Sequence, residues 1–424
     1  MIQIKTVKFS TSMLLLAILI STPIITTNIP SSLFPDARLS PQSSFSSDKT
    51  RTYDVTINSS QYTGETDTER LQKALDDVPP EGAVVVVSKG VWLACNLTAK
   101  SRTTLLGKDG TIIRRPNNTE APFITFECKS IFSVTNITFD GQSVPEATGI
   151  LISGSEQFHI VNNTFVNVKR NAIRITEDCE NFTIEDNIFL NCDKATICLF
   201  GSPGSRNIRM FTIKNNILIN GSNNGKIGLA FTENGTLINN VIINGEYGIG
   251  TRCVSNILVK RNHVENCSNY GIYLGTQPGD VGSNDIQIEA NNITNCKVGI
   301  SRYYGSWPIT NVTIKYNHFL FNQQWDIYAN FPATFTNNTI TSAEKLKIVD
   351  SAVKFVGNKD QKGQPVLPAD VNDDGKTDMW DIGIVARLFG ISEEKENWDS
   401  RADVVEDGVI DMKDVALITT HYGM

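Results

Sequence analysis

Histidine is scarce in this chain: four residues in 424, scattered, which leaves imidazole-based chemistry little to draw on. A basic surplus is missing too. Lys and Arg number 38 against 45 Asp and Glu, a formal charge of -7, so no electrostatic footprint for nucleic acid is present. Long apolar runs are confined to the N-terminus. There Lys5 and Lys8 precede the run Met13 to Ile20, continuing more weakly to Ile25. That is short of the roughly 20 apolar residues a membrane span needs, and it reads as an export signal over residues 1–30. No clear small-x-small cleavage site follows, so a cleaved signal peptide and a retained N-terminal anchor both stay open. Residues 31–50, rich in Ser and Pro, read as a linker. Extended segments of 3.6-residue periodicity are also absent from the centre of the chain, which excludes a helical-repeat solenoid.

What fills the centre is a motif repeated eight times between Ile160 and Ile340: FHIVNNTF, FTIEDNIF, FTIKNNIL, GTLINNVI, ILVKRNHV, IQIEANNI, VTIKYNHF and ATFTNNTI. Each carries an asparagine at one place: Asn163, Asn187, Asn216, Asn240, Asn262, Asn291, Asn317 and Asn338. The steps are 24, 29, 24, 22, 29, 26 and 21 residues. Short β-branched runs at a period of about 20–30 residues signal stacked coils. Four places further on stands a second asparagine in six coils (Asn167, Asn191, Asn220, Asn244, Asn266, Asn295). A small residue and an aliphatic follow, as in Ala172-Ile173, Gly248-Ile249, Gly271-Ile272 and Gly299-Ile300. Three short strands and three bends per coil account for this spacing. Asparagine suits the tightest bend through its tolerance of left-handed backbone. Its amide can also bond the same amide one coil away, about 4.8 Å distant, as a ladder. Ahead of the repeats, Thr66 to Leu75 predicts an amphipathic helix with Leu71 and Leu75 on one face, leading into Ala83 to Val87. The first clear repeat is Val134 to Gly141, with Ile137 in the ladder place.

Residues 66 to 342 resemble the right-handed parallel β-helix superfamily, in particular the group with degenerate NN-T/I-F/I coils and a G-I strand. That group spans pectate-lyase-like proteins, sugar hydrolases and epimerases, and a periplasmic copper-processing accessory protein. The resemblance implies an all-β solenoid over residues 51–356, closed at its start by the capping helix, with any active groove on the G-I strand. Alternation then turns Arg174, Cys198, Ala230, Gly250, Tyr273, Ser301 and Tyr328 outward, with Thr176, Phe200, Thr232, Arg252, Gly275, Tyr303 and Asn330 two places on. Glycosidase chemistry wants two carboxylates about 5–10 Å apart. Glu177, Asp178, Asp193 and Glu233 are near in register, yet none occupies matched outward positions on neighbouring coils. Arg174 and Arg252 are three coils apart, about 14 Å. No catalytic residue is nominated. The copper-accessory branch fares poorly, because His263 and His318 lie two coils apart and Met210 is the lone methionine of the repeats. Aromatics are more suggestive: Tyr270, Tyr273, Tyr303, Tyr304, Trp307, Trp325 and Tyr328 suit sugar stacking, or equally seal the last coils. The candidate glycan-binding residues are therefore Arg174, Arg252, Tyr273, Tyr303, Trp307 and Tyr328.

Eight cysteines lie within the repeat region. Cys192, Cys267 and Cys296 share one coil position, which reads as a row of small buried apolar side chains or as a disulfide between adjacent coils. Triplets such as Asn181-Phe-Thr, Asn234-Gly-Thr and Asn311-Val-Thr are glycosylation sequons if the chain is exported, and also arise by chance in an Asn- and Thr-rich repeat.

After a linker at 357–368 the chain changes character. Asp370, Asn372, Asp374, Asp378 and Asp381 place oxygen donors at positions 1, 3, 5, 9 and 12, with Gly375 at 6 and the Lys376 carbonyl at 7, which is calcium-loop spacing. Thirty-three residues later Asp403, Asp407, Asp411 and Asp414 repeat the pattern, the Val409 carbonyl at 7, while position 3 is Val405, which has no side-chain oxygen. Each loop leads into a helical run ending at Gly390 or Gly423. Residues 369–424 resemble a small all-α dockerin, the calcium-dependent docking module of extracellular polysaccharide-degrading systems. That resemblance implies Ca2+ as cofactor and a cohesin-like protein as partner. The expected protein is an exported or cell-surface one that binds or processes a polysaccharide or cell-surface glycan, as a lyase or glycoside hydrolase if it is an enzyme. The alternative is a non-catalytic structural or adhesive surface protein.

Overall fold

The computed structural model describes residues 53–221, 225–275, 281–303, 308–350, 352–366, 369–372, 376–405 and 407–423. Helix α1 (Asp67–Asp76) opens it, its first turn capped by Thr66, whose side chain accepts from the Glu69 N–H. Leu71, Ala74 and Leu75 are buried. The polar face is left to water, so α1 covers the start of the solenoid as the sequence pattern expects.

Behind it the chain winds through three parallel sheets. The first has 13 strands, from Thr56–Asn58 to Lys354–Val356; the second 12, from Gly90–Leu93 to Lys359–Asp360; the third 11, from Leu97–Thr98 to Leu346–Ile348. Every third strand neighbours the next in space, so each coil contributes one strand to each sheet. The second sheet thus runs on into the stretch read as a 357–368 linker.

The asparagine ladder stands in the bend between first and second sheets. Asn163, Asn187, Asn216, Asn240, Asn262, Asn291, Asn317 and Asn338 are all buried. Each Nδ2 donates to the Oδ1 of the next, from 3.1 Å at Asn163 to 2.9 Å at Asn317. Ile137 joins only through its backbone N–H, 3.1 Å from the Asn163 Oδ1. At the far end the row continues to Asn358, whose Oδ1 accepts from Asn338. The left-handed backbone expected of the ladder asparagines belongs instead to the residue before each, such as Asn162, Asp186, Asn215 and Asn239, and to the second asparagines, Asn167 to Asn295. The ladder residue needs its amide aimed inward, and its neighbour makes the turn.

A second left-handed position opens the first-sheet strands. Gln157, Asn181, Met210, Asn234, Asn256, Asp285 and Asn311 have φ from 50 to 56°. The pairing skips these residues: Glu156 faces Glu180 and Phe158 faces Phe182. They form a row of left-handed kinks stacked coil on coil, one on each strand, which gives the sequons at Asn181, Asn234 and Asn311 a backbone reason.

Inside, aromatic rings stack along the axis. Phe126, Phe132, Phe158, Phe182 and Phe211 follow one another with centroids 3.9 to 5.6 Å apart. The stack ends at Gly235, paired with Phe211, where a Cβ would come within 2.1 Å of the Phe211 ring. None of the eight cysteines is joined in a disulfide. Cys192, Cys267 and Cys296 are buried, and burial pushes the Cys192 thiol up to about 12.

The C-terminal module carries α2 (Met379–Arg387) and α3 (Met412–Thr420). Reciprocal capping boxes pair Asp378 with Asp381 and Asp411 with Asp414. Ala369, Val371, Val385, Ala402, Ile410 and Ile418 form its small core.

Candidate glycan surface and metal loops

The third sheet carries the G-I strands, and its register fixes what points outward. Arg174 pairs with Cys198, Cys198 with Gly228, Gly250 with Tyr273, and Ser301 with Tyr328. Gly228, not Ala230, therefore holds the outward place between Cys198 and Gly250, because Ile227 is the residue in line with Ile197 and Ile249. Ala230 and not Thr232 then precedes Arg252 in the row two places on. The misplacement has a simple cause: Ile227 and Leu229 are both inward aliphatics, in line with Ile197 and Leu199.

Two glycines in succession leave the middle of this face without side chains. The Tyr273 ring fills part of the gap, lying where a Gly250 Cβ would meet its hydroxyl end at 2.4 Å. Around it stands a cluster the sequence showed only in part. Tyr247 and Tyr303 each lie within 5.2 to 5.4 Å of Tyr273 and of each other, centroid to centroid, and Tyr270 joins Tyr303 at 5.3 Å. Tyr247 and Tyr270 stack at an interplanar angle of 11°, the other pairs are tilted or edge-on, and Tyr247 itself is buried. The Tyr247 and Tyr303 hydroxyls are 2.9 Å apart, and Asn269 Nδ2 donates to Tyr247 at 3.2 Å. Burial, reinforced by Tyr303, pushes the Tyr273 phenol up to about 12, so it remains a hydrogen-bond donor at neutral pH. Tyr247 was legible in the repeated Tyr-Gly-Ile at 247–249 and 270–272.

The remaining candidates do not all join. Tyr328 sits on the same row beyond Ser301. Arg174 is half-buried and donates to Asn171 Oδ1 at 3.3 Å. Arg252, three strands further along the sheet, lays its guanidinium 5.0 Å from the Phe231 ring centre. Trp307 and Tyr304 lie outside the described residues. Carboxylates near this face are engaged in charge pairs or amide contacts: Asp193 with Lys169 at 3.2 Å, Asp178 with Asn207 at 3.2 Å, and Glu146 with Lys194 at 2.6 Å. His263 and His318 are separated by Asn292, which approaches His263 Nδ1 at 3.1 Å.

In the C-terminal loops the donor set is that of a hard cation. Asp381 and Asp414 are fully buried carboxylates held by backbone N–H groups: Val371 to Asp381 at 2.7 Å, Val405 to Asp414 at 3.0 Å. Burial raises the Asp414 carboxyl, and Asp403 and Asp407 add to the effect. That crowding of acids is what a bound cation would relieve. Asp403 accepts from the Asp407 and Gly408 N–H groups, and Lys413 bridges to Asp407 at 2.5 Å. Asp374 lies outside the described residues. Among those described, no three His, Cys, Asp or Glu side chains converge on one point. The position-12 carboxylates are turned to the loop backbone.

Two family models match the sequence: right handed beta helix region over residues 109–227 and 204–340, and dockerin type I domain over 368–421. No curated protein sequence matches the chain. Among solved structures, a hyperthermoactive exopolygalacturonase from Thermotoga maritima aligns with TM-score 0.56 at 11% identity, over 74% of this chain and 93% of that one. The surface adhesin PfbA of Streptococcus pneumoniae aligns with TM-score 0.54 at 13% identity, over 72% and 90%. At such identity they share a fold, and one is a hydrolase while the other is an adhesin.

Proposed function

From the premise that the chain belongs to the right-handed β-helix family, we propose that it is an exported or cell-surface protein that holds a polysaccharide on its third sheet. In this reading the dockerin-type module tethers it to a cohesin-like partner. The observation that carries the reading is the union in one chain of a β-helix with a dockerin type I match at 368–421. The tyrosine cluster supplies the sugar surface: aromatic rings beside the Tyr303, Tyr273 and Asn269 polar groups, with the Tyr273 ring lying over Gly250.

The module takes calcium in the same proposal. Asp370, Asn372, Asp374, Asp378, Asp381 and the Lys376 carbonyl hold the first ion; Asp403, Asp407, Asp411, Asp414 and the Val409 carbonyl hold the second. The ion would supply countercharge to the crowded acids and so add to the module's folding free energy. This chain's own residues do the rest: the Asp378 and Asp411 caps start the helices, and Asp381 and Asp414 tie each helix back to its loop.

The second reading, a non-catalytic adhesive or spacer protein, draws on one specific observation. Among the described residues, the outward row offers no pair of carboxylates on neighbouring coils. Incubation with acidic and neutral polysaccharides, assayed for unsaturated products and new reducing ends, separates the two. Unsaturated ends mark a lyase and reducing ends alone a hydrolase; binding without products supports the second reading.

A further inference from the structure

The module is an internal duplication, each residue of the first half matched 33 places later, and the two halves have different surroundings. In the second half Val405 and Leu417 are 9% and 3% exposed and belong to the continuous apolar core of the solenoid. Facing them across an apolar cleft of about 310 Å3 are Ile348 and Val349, at the end of the last third-sheet strand. Met412, Lys413 and Ala416 of α3 complete the lining. The same positions in the first half are Asn372, Met379, Trp380, Gly383 and Ile384. There Asn372 and Ile384 are only half-buried where Val405 and Leu417 are buried, while the helix starts are alike, Met379 and Met412 being 62% and 63% exposed.

This asymmetry explains Val405. As a loop residue it forfeits an oxygen donor; as a contact it places an aliphatic side chain against the solenoid's end. A solenoid needs its last coil covered, because a terminal coil cannot bury its apolar face alone. The N-terminal coil has α1. At the other end the corresponding cover comes from the α3 half of the module.

We propose that the second half of the module is the C-terminal cap of this solenoid, seated on Leu346–Val349 through Val405 and Leu417.

Hydrogen exchange on the full chain in calcium tests the cap. Val349→Asp puts a charge into the cleft from the solenoid side without altering the module. Exchange across 403–420 should quicken at least tenfold while 376–391 is unchanged. Leu417→Asp should do the reciprocal at 343–350. Unchanged exchange at 403–420 in the Val349 variant overturns the cap, whatever Leu417→Asp does to the module's own folding.

Discussion

Replacing Asn240 by Leu asks how much the ladder contributes. Asn240 is fully buried in the middle of the row. Its Oδ1 accepts from the Asn216 backbone N–H at 3.1 Å and from Asn216 Nδ2 at 3.0 Å. Its Nδ2 donates to Asn262 Oδ1 and to the Ile213 carbonyl, both at 2.9 Å. Leucine removes all four bonds. Asn216 Nδ2 keeps Ile184 and Lys214, and Asn262 Oδ1 keeps the residue-240 N–H. The Asn216 backbone N–H is left buried without an acceptor. One orphaned buried donor costs about 1–3 kcal/mol and each further bond about 0.5–1.5 kcal/mol. Since these terms overlap, about 3–5 kcal/mol is expected. Long repeat arrays depart from two-state unfolding, so the reading should be local: hydrogen exchange across 208–265 alongside the urea midpoint followed by circular dichroism. Asn239→Gly is the control. Residue 239 already has φ 55°, where glycine costs no steric strain, and a change within about 0.5 kcal/mol is expected on the scale of surface substitutions. A wild-type midpoint and unaltered exchange in Asn240→Leu would refute the ladder's role.

Gly235→Ala should destabilise by about 1–3 kcal/mol, the overpacking scale, because its Cβ would enter the Phe211 ring; an unchanged thermal midpoint would show that the stack yields freely. Calcium should raise the module's stability by about 2.7 kcal/mol at a hundredfold excess over Kd, read as a rise in the temperature at which the Trp380 and Trp398 fluorescence changes. Asp374→Ala should weaken the first site at calcium levels where Asp407→Ala has a modest effect, since the second loop already lacks an oxygen at Val405; equal shifts in a calcium titration would contradict this ranking.

The ladder and the calcium-loop spacing were legible because each repeats one residue type at one place for one chemical reason. The left-handed kinks of the first sheet were not, since residues of several types serve there, and Met210 and Asp285 do so alongside asparagine. The phenylalanine stack changes sheet at its start, from Phe126 of the third to Phe132 of the first, and that step carries no repeat; from Phe132 it runs in register through Phe158, Phe182 and Phe211. Ladder membership of Asn358 was hidden by Gly357, whose φ of 65° does the work that Asn337 does one coil earlier. Tyr247 was missed although the repeated Tyr-Gly-Ile marks it; it opens its third-sheet strand, paired with Gly225, and its hydroxyl reaches Tyr303. Val405 looked like a defect in a metal loop until its neighbours on the solenoid were known.

Affinity electrophoresis of the full chain through gels containing each of a panel of acidic and neutral polysaccharides tests the glycan surface most directly. The wild type should be retarded by at least one polysaccharide, and Tyr273→Ala/Tyr303→Ala should migrate there as in a sugar-free gel while keeping the wild-type circular dichroism spectrum. Free migration of the wild type in every gel, or full retardation of the double variant, would contradict the assignment.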